Sequence, residues 1–367
     1  MSQKKYSAIK EESIKGRYVV GSDIDGYLGK LPGDFKVETI GRSVQDREIK
    51  MVTLGDGGTK ILMWSQMHGN ESTTTKAVLD LLNFLKTDEQ KALSILKNCT
   101  IKIIPILNPD GAAAYTRVNA NQVDLNRDAQ QRTQPESVVL RNVYEGFNPD
   151  FCFNLHDQRT IFNVGETPMP ATVSFLAPAQ DEERSISQTR GMSMKLIVAM
   201  NQELQKIIPG QVGRYDDGFN SNCIGDTFQM LNTPTILFEA GHYKNDYQRE
   251  ETRRFIYIAL EKALDVIAKN EVNNYNIKEY AQIPNNNKLY YDVLINNIHL
   301  FNPKYKKGES AGVLFKETLI NGEVVFKESL EDVGILEGVY GHKTFNCLND
   351  SDIQELEKYG EVCLLLK

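Results

Sequence analysis

The sequence predicts an α/β fold, a mostly parallel sheet covered by helices on both faces, followed by a small β-rich unit. Three observations carry this. Short apolar runs alternate with helix-like stretches from about Glu48 to about Lys269. Several of those runs are apolar on both faces, as strands buried in a parallel sheet must be. Near Asn273 the composition shifts to Asn-rich segments followed by short or alternating apolar runs.

Taken in order, Ile49–Leu54 and Lys60–Ser65 read as strands. Glu71–Leu85 places Val78, Leu81, Leu82 and Leu85 at helical spacing. Thr100–Leu107 is β-branched and apolar and ends in the turn signal Asn108-Pro109-Asp110-Gly111. Glu136–Phe147 reads as a helix, Phe151–Leu155 and Thr172–Ala177 as strands, and Ile186–Ile208 as a long helix stopped by Pro209-Gly210. Thr235–Phe238 is a short buried strand and Arg249–Lys269 a further helix. Beyond Asn273, Lys288–Ile295, Gly312–Phe315 and Glu323–Phe326 read as strands, the last two joined by an Asn321-Gly322 hairpin. The expected division is a large domain over 1–272 and a small β-rich domain over 275–367, the latter without a chemical motif.

Composition excludes several function classes. The chain has 367 residues, 41% apolar and 25% charged, with a net charge of −7 spread along its length. No basic cluster exists to contact phosphates, so neither nucleic acid nor an anionic membrane is an expected partner. No run approaches the ~18 apolar residues that span a bilayer. The amino-terminal residues lack the apolar core of a secretory signal. The five cysteines are widely spaced and odd in number, as in a reducing compartment, so a cytoplasmic location is expected. Oligomeric state is not readable.

The first chemical motif is His68-Gly69-Asn70-Glu71, which follows an expected strand and opens an expected helix. Such a corner can turn both side chains to one point, with Gly69 permitting a sharp bend between them. Zinc accepts imidazole nitrogen and carboxylate oxygen, and a catalytic site leaves one position open. The spacing is common, so a third ligand must come from elsewhere. His156 ends the apolar run Phe151–Leu155, and His68 also lies just past a strand. If these strands are parallel, both histidines meet at the carboxyl edge of the sheet, where open α/β folds bind ligands. The alternative for His156 is a core histidine bonded to backbone. Glu239 likewise follows an apolar strand, where a partly desolvated carboxyl would have a raised pKa and accept a proton. Standing alone, such a glutamate is more often a capping or surface residue. Arg117 and Asp124-Leu125-Asn126-Arg127 supply guanidinium and amide groups that grip a carboxylate. Either arginine taken singly is also a surface ion-pair partner.

In this order, His68-Gly-Asn-Glu71, Asn108-Pro-Asp-Gly111, Arg117, Asp124-Leu-Asn-Arg127, Asn154-Leu-His156 and Phe238-Glu239 resemble the zinc metallocarboxypeptidase family, carboxypeptidase A type. The resemblance covers about residues 40–270. It implies a mixed eight-stranded sheet in an α/β/α sandwich and one Zn2+ per chain on His68, Glu71 and His156. It implies Glu239 as general base and Arg117 as the group that polarises the scissile carbonyl. Asn126 and Arg127 would bind the substrate's terminal carboxylate, and Asp124 would orient His68 from behind. The implied reaction is hydrolysis of an amide bond next to a free carboxylate, on peptides or murein-type peptides. Family members also have a mobile tyrosine before the catalytic glutamate. Tyr215 is the nearest candidate, unless it is an exposed turn residue.

Two positions depart from the pattern. Asp157 follows the third ligand and adds a negative charge, which would bind a substrate amine, pair with Arg159 or point away. Asp226 lies where the family builds its side-chain pocket and would favour a basic or diaminopimelate-like group, or else serves as a turn and cap residue. Only about forty residues precede the pattern, so no activation by prodomain removal is expected. Two rival functions remain open. N-acyl-amino-acid deacylases related to aspartoacylase and succinylglutamate desuccinylase share the zinc set and an appended β domain, and act on acylated amino acids. An inactive binding protein on the same fold would usually lack the base or a ligand.

Overall fold

The computed structural model describes residues 3–366. Fourteen strands are present among them: β1 (Lys36–Arg42), β2 (Glu48–Leu54), β3 (Thr59–Ser65), β4 (Cys99–Ile104), β5 (Phe151–Asp157), β6 (Asn163–Val164), β7 (Val173–Leu176), β8 (Val212–Arg214), β9 (Thr235–Ala240), β10 (Asn286–Asn287), β11 (Tyr290–Asn296), β12 (Ser310–Ile320), β13 (Glu323–Gly334) and β14 (Tyr340–Asn346). Eight form one sheet in the order β1-β2-β4-β3-β5-β9-β7-β8.

The sheet is mixed. Its centre, β4-β3-β5-β9, is parallel, and the flanks β1-β2-β4 and β9-β7 are antiparallel. A hairpin as short as the one joining β1 to β2 permits no other pairing. Side chains alternate between the two faces with the strand period. Ile61 and Met63 pack with the helices Thr73–Leu85, Gln188–Leu204 and Glu250–Ala268. Leu62 and Trp64 join Leu140, Tyr144 and Phe228 from the helices Pro135–Phe147 and Ile224–Met230. Helices therefore cover both faces.

Several boundaries differ from expectation. The first long helix begins at Thr73 rather than Glu71, because 68–72 form the corner that carries His68 and Glu71. β4 stops at Ile104 before Pro105, which cannot donate to a ladder. The long helix is confined to Gln188–Leu204. The edge strands β1 and β8 were not anticipated, since neither carries a strong apolar run.

The carboxy-terminal segment holds a second sheet, β13-β12-β11-β14. Asn321 and Gly322 have φ of 51° and 82°, the paired positive values that a two-residue hairpin turn requires. Two helices, Asp350–Lys358 and Gly360–Leu365, also occur here and were not read from sequence. They cover one face of the sheet, where Leu356 and Val362 pack on Val293, Val313 and Phe345.

Three contacts fix this sheet beside the rim of the large one. Tyr247 Oη donates to Asp292 Oδ1 at 2.9 Å, and Thr160 Oγ1 donates to Asp292 Oδ2 at 3.1 Å. The His242 and His342 rings lie 4.1 Å apart. The amino-terminal segment is held by a buried network in which Arg253 donates to both oxygens of Asp80 at 2.7 and 2.5 Å, and Tyr6 Oη donates to the same group at 2.7 Å. No helix among the described residues is long and apolar enough to cross a membrane.

Candidate active site

The parallel centre of the sheet brings the three candidate ligands together. β3 and β5 run side by side in parallel, so His68 just past β3 and His156 near the end of β5 reach the same carboxyl edge. β9 pairs with β5 in register, which sets Glu239 directly opposite His156. His68 Nδ1 lies 2.8 Å from Glu71 Oε1, His156 Nδ1 lies 2.8 Å from Glu71 Oε2, and the two Nδ1 atoms are 3.0 Å apart.

The corner has two local causes. Asn108 Oδ1 accepts from Gly111 N at 2.8 Å, capping the helix Pro109–Ala114, and Asn108 Nδ2 donates to the Met67 carbonyl at 3.1 Å. Asn108-Pro-Asp-Gly111 is thus a helix start braced on the ligand corner, not merely a turn. Gly69 is needed for a different reason from the expected sharp bend. A Cβ there would fall 1.9 Å from the Gly111 carbonyl carbon, so the two backbones touch where no side chain fits.

The donor set fits a divalent cation. Asp124 Oδ1 is acceptor-only and lies 3.0 Å from His68 Nε2, so the ring proton sits on Nε2. Nδ1 then turns a lone pair toward the Glu71 carboxylate and the second imidazole. The three ligand groups present atoms all within 4.8 Å of one another. Two imidazoles and one carboxylate are a zinc ligand set with a place left for water. Burial opposes the charge on Glu71, but the neighbouring His68 and His156 imidazoles outweigh it and hold the carboxyl far below its ordinary range. Burial also pushes the His156 imidazole down, towards the neutral form that binds metal.

Glu239 is the reverse case. Burial pushes its pKa well up, and the Glu71 and Asp157 charges push it further against Arg117. Its Oε2 is buried without a hydrogen-bond partner among the described residues. Beside a cation held by His68, Glu71 and His156, a carboxyl with this raised pKa would be able to take and return a proton.

His68, Glu71, His156, Arg117, Asn126, Arg127, Tyr215, Asp226 and Glu239 all line one cleft of about 500 Å³. Arg117 is half exposed, with Nε donating to Asp124 Oδ2 at 3.0 Å and Nη1 to Glu71 Oε1 at 3.3 Å. Asn126 Oδ1 accepts from Ile224 N at 3.1 Å, which orients its amide, and Arg127 Nη1 donates to the Asn126 carbonyl at 2.8 Å. Tyr215 is not a free turn residue. Its amide donates to the Phe175 carbonyl at 3.0 Å and its ring lies 5.3 Å from that of Phe162. Burial, with Glu239 and Glu71 nearby, raises its pKa, so it remains a neutral phenol. Asp226 Oδ2 accepts from Asn220 N at 2.9 Å, and burial pushes its carboxyl up to about 6.

Asp157 turns away from the metal position. It accepts from the amides of Thr73 at 3.0 Å and Thr74 at 3.3 Å, at the start of the helix after Glu71. His242 is buried against His342 and Tyr247 rather than in the cleft. Sequence reasoning missed Lys288, Phe162 and Ile161 as lining residues, since none belongs to a motif.

The zinc carboxypeptidase family model matches residues 23–196, a stretch that holds the three candidate ligands, Arg117, Asn126 and Arg127 but not Glu239. The chain is 32% identical over 122 residues to the human carboxypeptidase N catalytic chain, covering 27% of each. It is 28% identical over 100 residues to carboxypeptidase 2 of Trichophyton rubrum, covering 27% of this chain and 19% of that protein. These matches therefore span about a fifth to a quarter of the relatives' length. A metallo-carboxypeptidase from Burkholderia cenocepacia superposes with a TM-score of 0.53 at 18% identity, over 68% of this chain and 67% of the other. Carboxypeptidase A from Helicoverpa armigera gives 0.55 at 17% identity, over 72% and 78%. The family match over residues 23–196, the relatives and the shared fold agree that this chain is similar to the metallocarboxypeptidases.

Proposed function

We propose that this chain is a zinc-dependent carboxypeptidase that removes the terminal residue of peptides, favouring a basic or diaminopimelate-like residue. The observation that supports it best is Glu239. It stands in register with His156, buried, with an oxygen that finds no partner among the described residues. A purely structural carboxylate would be capped or paired.

Each residue's work follows from its position. Asn126 and Arg127 hold the substrate's terminal carboxylate through amide and guanidinium donors. Zinc, when held by His68, Glu71 and His156, supplies a Lewis acid that acidifies water and polarises the scissile carbonyl. Glu239 takes the proton of the attacking water and returns it to the leaving amine. Arg117 donates to the oxygen that gains charge as the carbonyl carbon becomes tetrahedral. Asp124 keeps the His68 proton on Nε2 and the ring in place. Tyr215, kept neutral, donates to the substrate backbone at the mouth. Asp226 receives the basic side chain. A cytoplasmic setting belongs to the same proposal and is supported by five free cysteines.

Metal analysis of the purified protein, with release assays on free peptides, diaminopimelate-ended peptides and N-acyl amino acids, tests this reading. Zinc near one per chain with release of terminal residues from free peptides is expected. A deacylase would hydrolyse N-acyl amino acids and ignore free dipeptides. A binding protein would take up ligand without turnover.

A further inference from the structure

A second cavity, of about 530 Å³, adjoins the first, and Glu71, Asp157, Gln158 and Arg159 line both. Arg117, Asn126 and Arg127 do not reach it. It therefore lies across the metal ligands from the carboxylate clamp. A peptide with its terminal carboxylate at Asn126 and Arg127 runs its upstream residues into this space. The outer wall is the β12–β13 hairpin, through Phe315, Lys316, Glu317, Thr318 and Phe326. That wall is fixed. Arg17 Nη2 lies 3.1 Å from Glu317 Oε1, Tyr115 Oη donates to Glu317, and the Tyr247 ring lies 5.2 Å from Phe315 and 5.4 Å from Phe326.

The acids of this cavity are engaged, and of its three cations Arg159 alone has no ion pair among the described residues. Glu71 faces the histidines, Asp157 caps a helix, and Glu317 is held by Arg17 and Tyr115. Lys316 is paired with Glu331 at 3.3 Å. Arg17, buried, offers Glu317 its Nη2 but leaves Nε and Nη1 without acceptors. The Glu317 charge keeps it cationic against the cost of burial. Arg159, exposed where the two cavities meet, forms no ion pair among the described residues. The Arg159 guanidinium, without an ion-pair partner beside satisfied carboxylates, and the two free donors of Arg17 can take an anionic acceptor.

We propose that this cavity binds the residue immediately upstream of the scissile bond and selects one bearing a carboxylate. Arg159 holds that carboxylate, Arg17 adds positive charge behind it, and Phe315, Phe326 and Tyr247 pack its methylene groups. The carboxy-terminal hairpin is thereby part of the substrate site. This rests on the carboxypeptidase reading above.

The test compares N-acetyl-Glu-Lys, N-acetyl-Gln-Lys and N-acetyl-Lys-Lys as substrates of the protein and of Arg159→Gln. The expected kcat/KM is about tenfold higher for the Glu peptide than for the Gln peptide, carried by KM, and lowest for the Lys peptide. In Arg159→Gln the Glu-to-Gln ratio falls to about one. Calorimetry on the metal-free protein reads the same preference without turnover, using the α-amides of N-acetylglutamate and N-acetylglutamine, which cannot use the clamp. If no peptide is cleaved, the carboxypeptidase reading fails, while the calorimetry still decides this one. Equal binding of the two amides, or a preference that survives in Arg159→Gln, overturns the proposal.

Discussion

On the proposed reading, the proton on Asp226 should set how strongly the cleft prefers a basic terminal residue. Burial pushes this carboxyl up to about 6, offset in part by the Asn220 amide and the Arg127 charge. At pH 5 about a tenth of the molecules carry the anion, and at pH 7 about nine-tenths do, while a lysine side chain stays charged throughout. The sign follows: preference for lysine appears as pH rises through 6. The assay is kcat/KM on paired peptides ending in lysine and in the neutral norleucine, measured from pH 5 to 8. Taking the ratio removes the titration of Glu239 and the metal site, which act on both substrates alike. The part of the ratio above its low-pH limit should rise about tenfold between pH 5 and 7 and level off by pH 8. Asp226→Asn should give a flat ratio near the low-pH limit. A flat ratio in the unsubstituted protein, or an inflection that persists in Asp226→Asn, refutes the assignment.

Other substitutions separate chemistry from architecture. Glu239→Gln should lower kcat by at least about 10²-fold with zinc content unchanged by metal analysis, because it removes the proton carrier and no ligand. Chelation should abolish turnover and lower Tm, with readdition of zinc restoring both; free zinc at 100 times its Kd contributes about 2.7 kcal/mol, measurable by denaturant titration. Gly69→Ala should weaken zinc binding in competition titrations, since its methyl would lie 1.9 Å from the Gly111 backbone. Asp80→Asn should cost about 3 kcal/mol of unfolding free energy, because it removes the carboxylate that takes two hydrogen bonds from buried Arg253 and leaves only Glu250, at 3.4 Å, as counter-charge.

What the sequence made legible was local. His68, Glu71 and His156 each end or follow a strand, and strand ends are where a parallel sheet gathers side chains. The core helices announced themselves by spacing. The carboxy-terminal helices did not, because Asp350–Lys358 is largely polar and buries Leu356 alone. Asp157 was ambiguous for a related reason. Its partners are backbone amides of Thr73 and Thr74, and backbone donors leave no mark in the sequence. The second cavity was invisible, since Arg17, Arg159 and the hairpin residues Glu317 and Phe326 come from three separate segments and none sits in a motif.

Arg17 and Glu317, joined by a hydrogen bond, are 300 positions apart in the chain. That closure has a kinetic corollary. A contact of such separation is among the slowest kinds to form, and during synthesis its second half emerges long after the first has folded. A nascent chain can bring His68, Glu71, His156 and Glu239 together before β12 exists. It would then present an unfinished trough, open on one side to any passing polypeptide, until the last part of the chain arrives to close it.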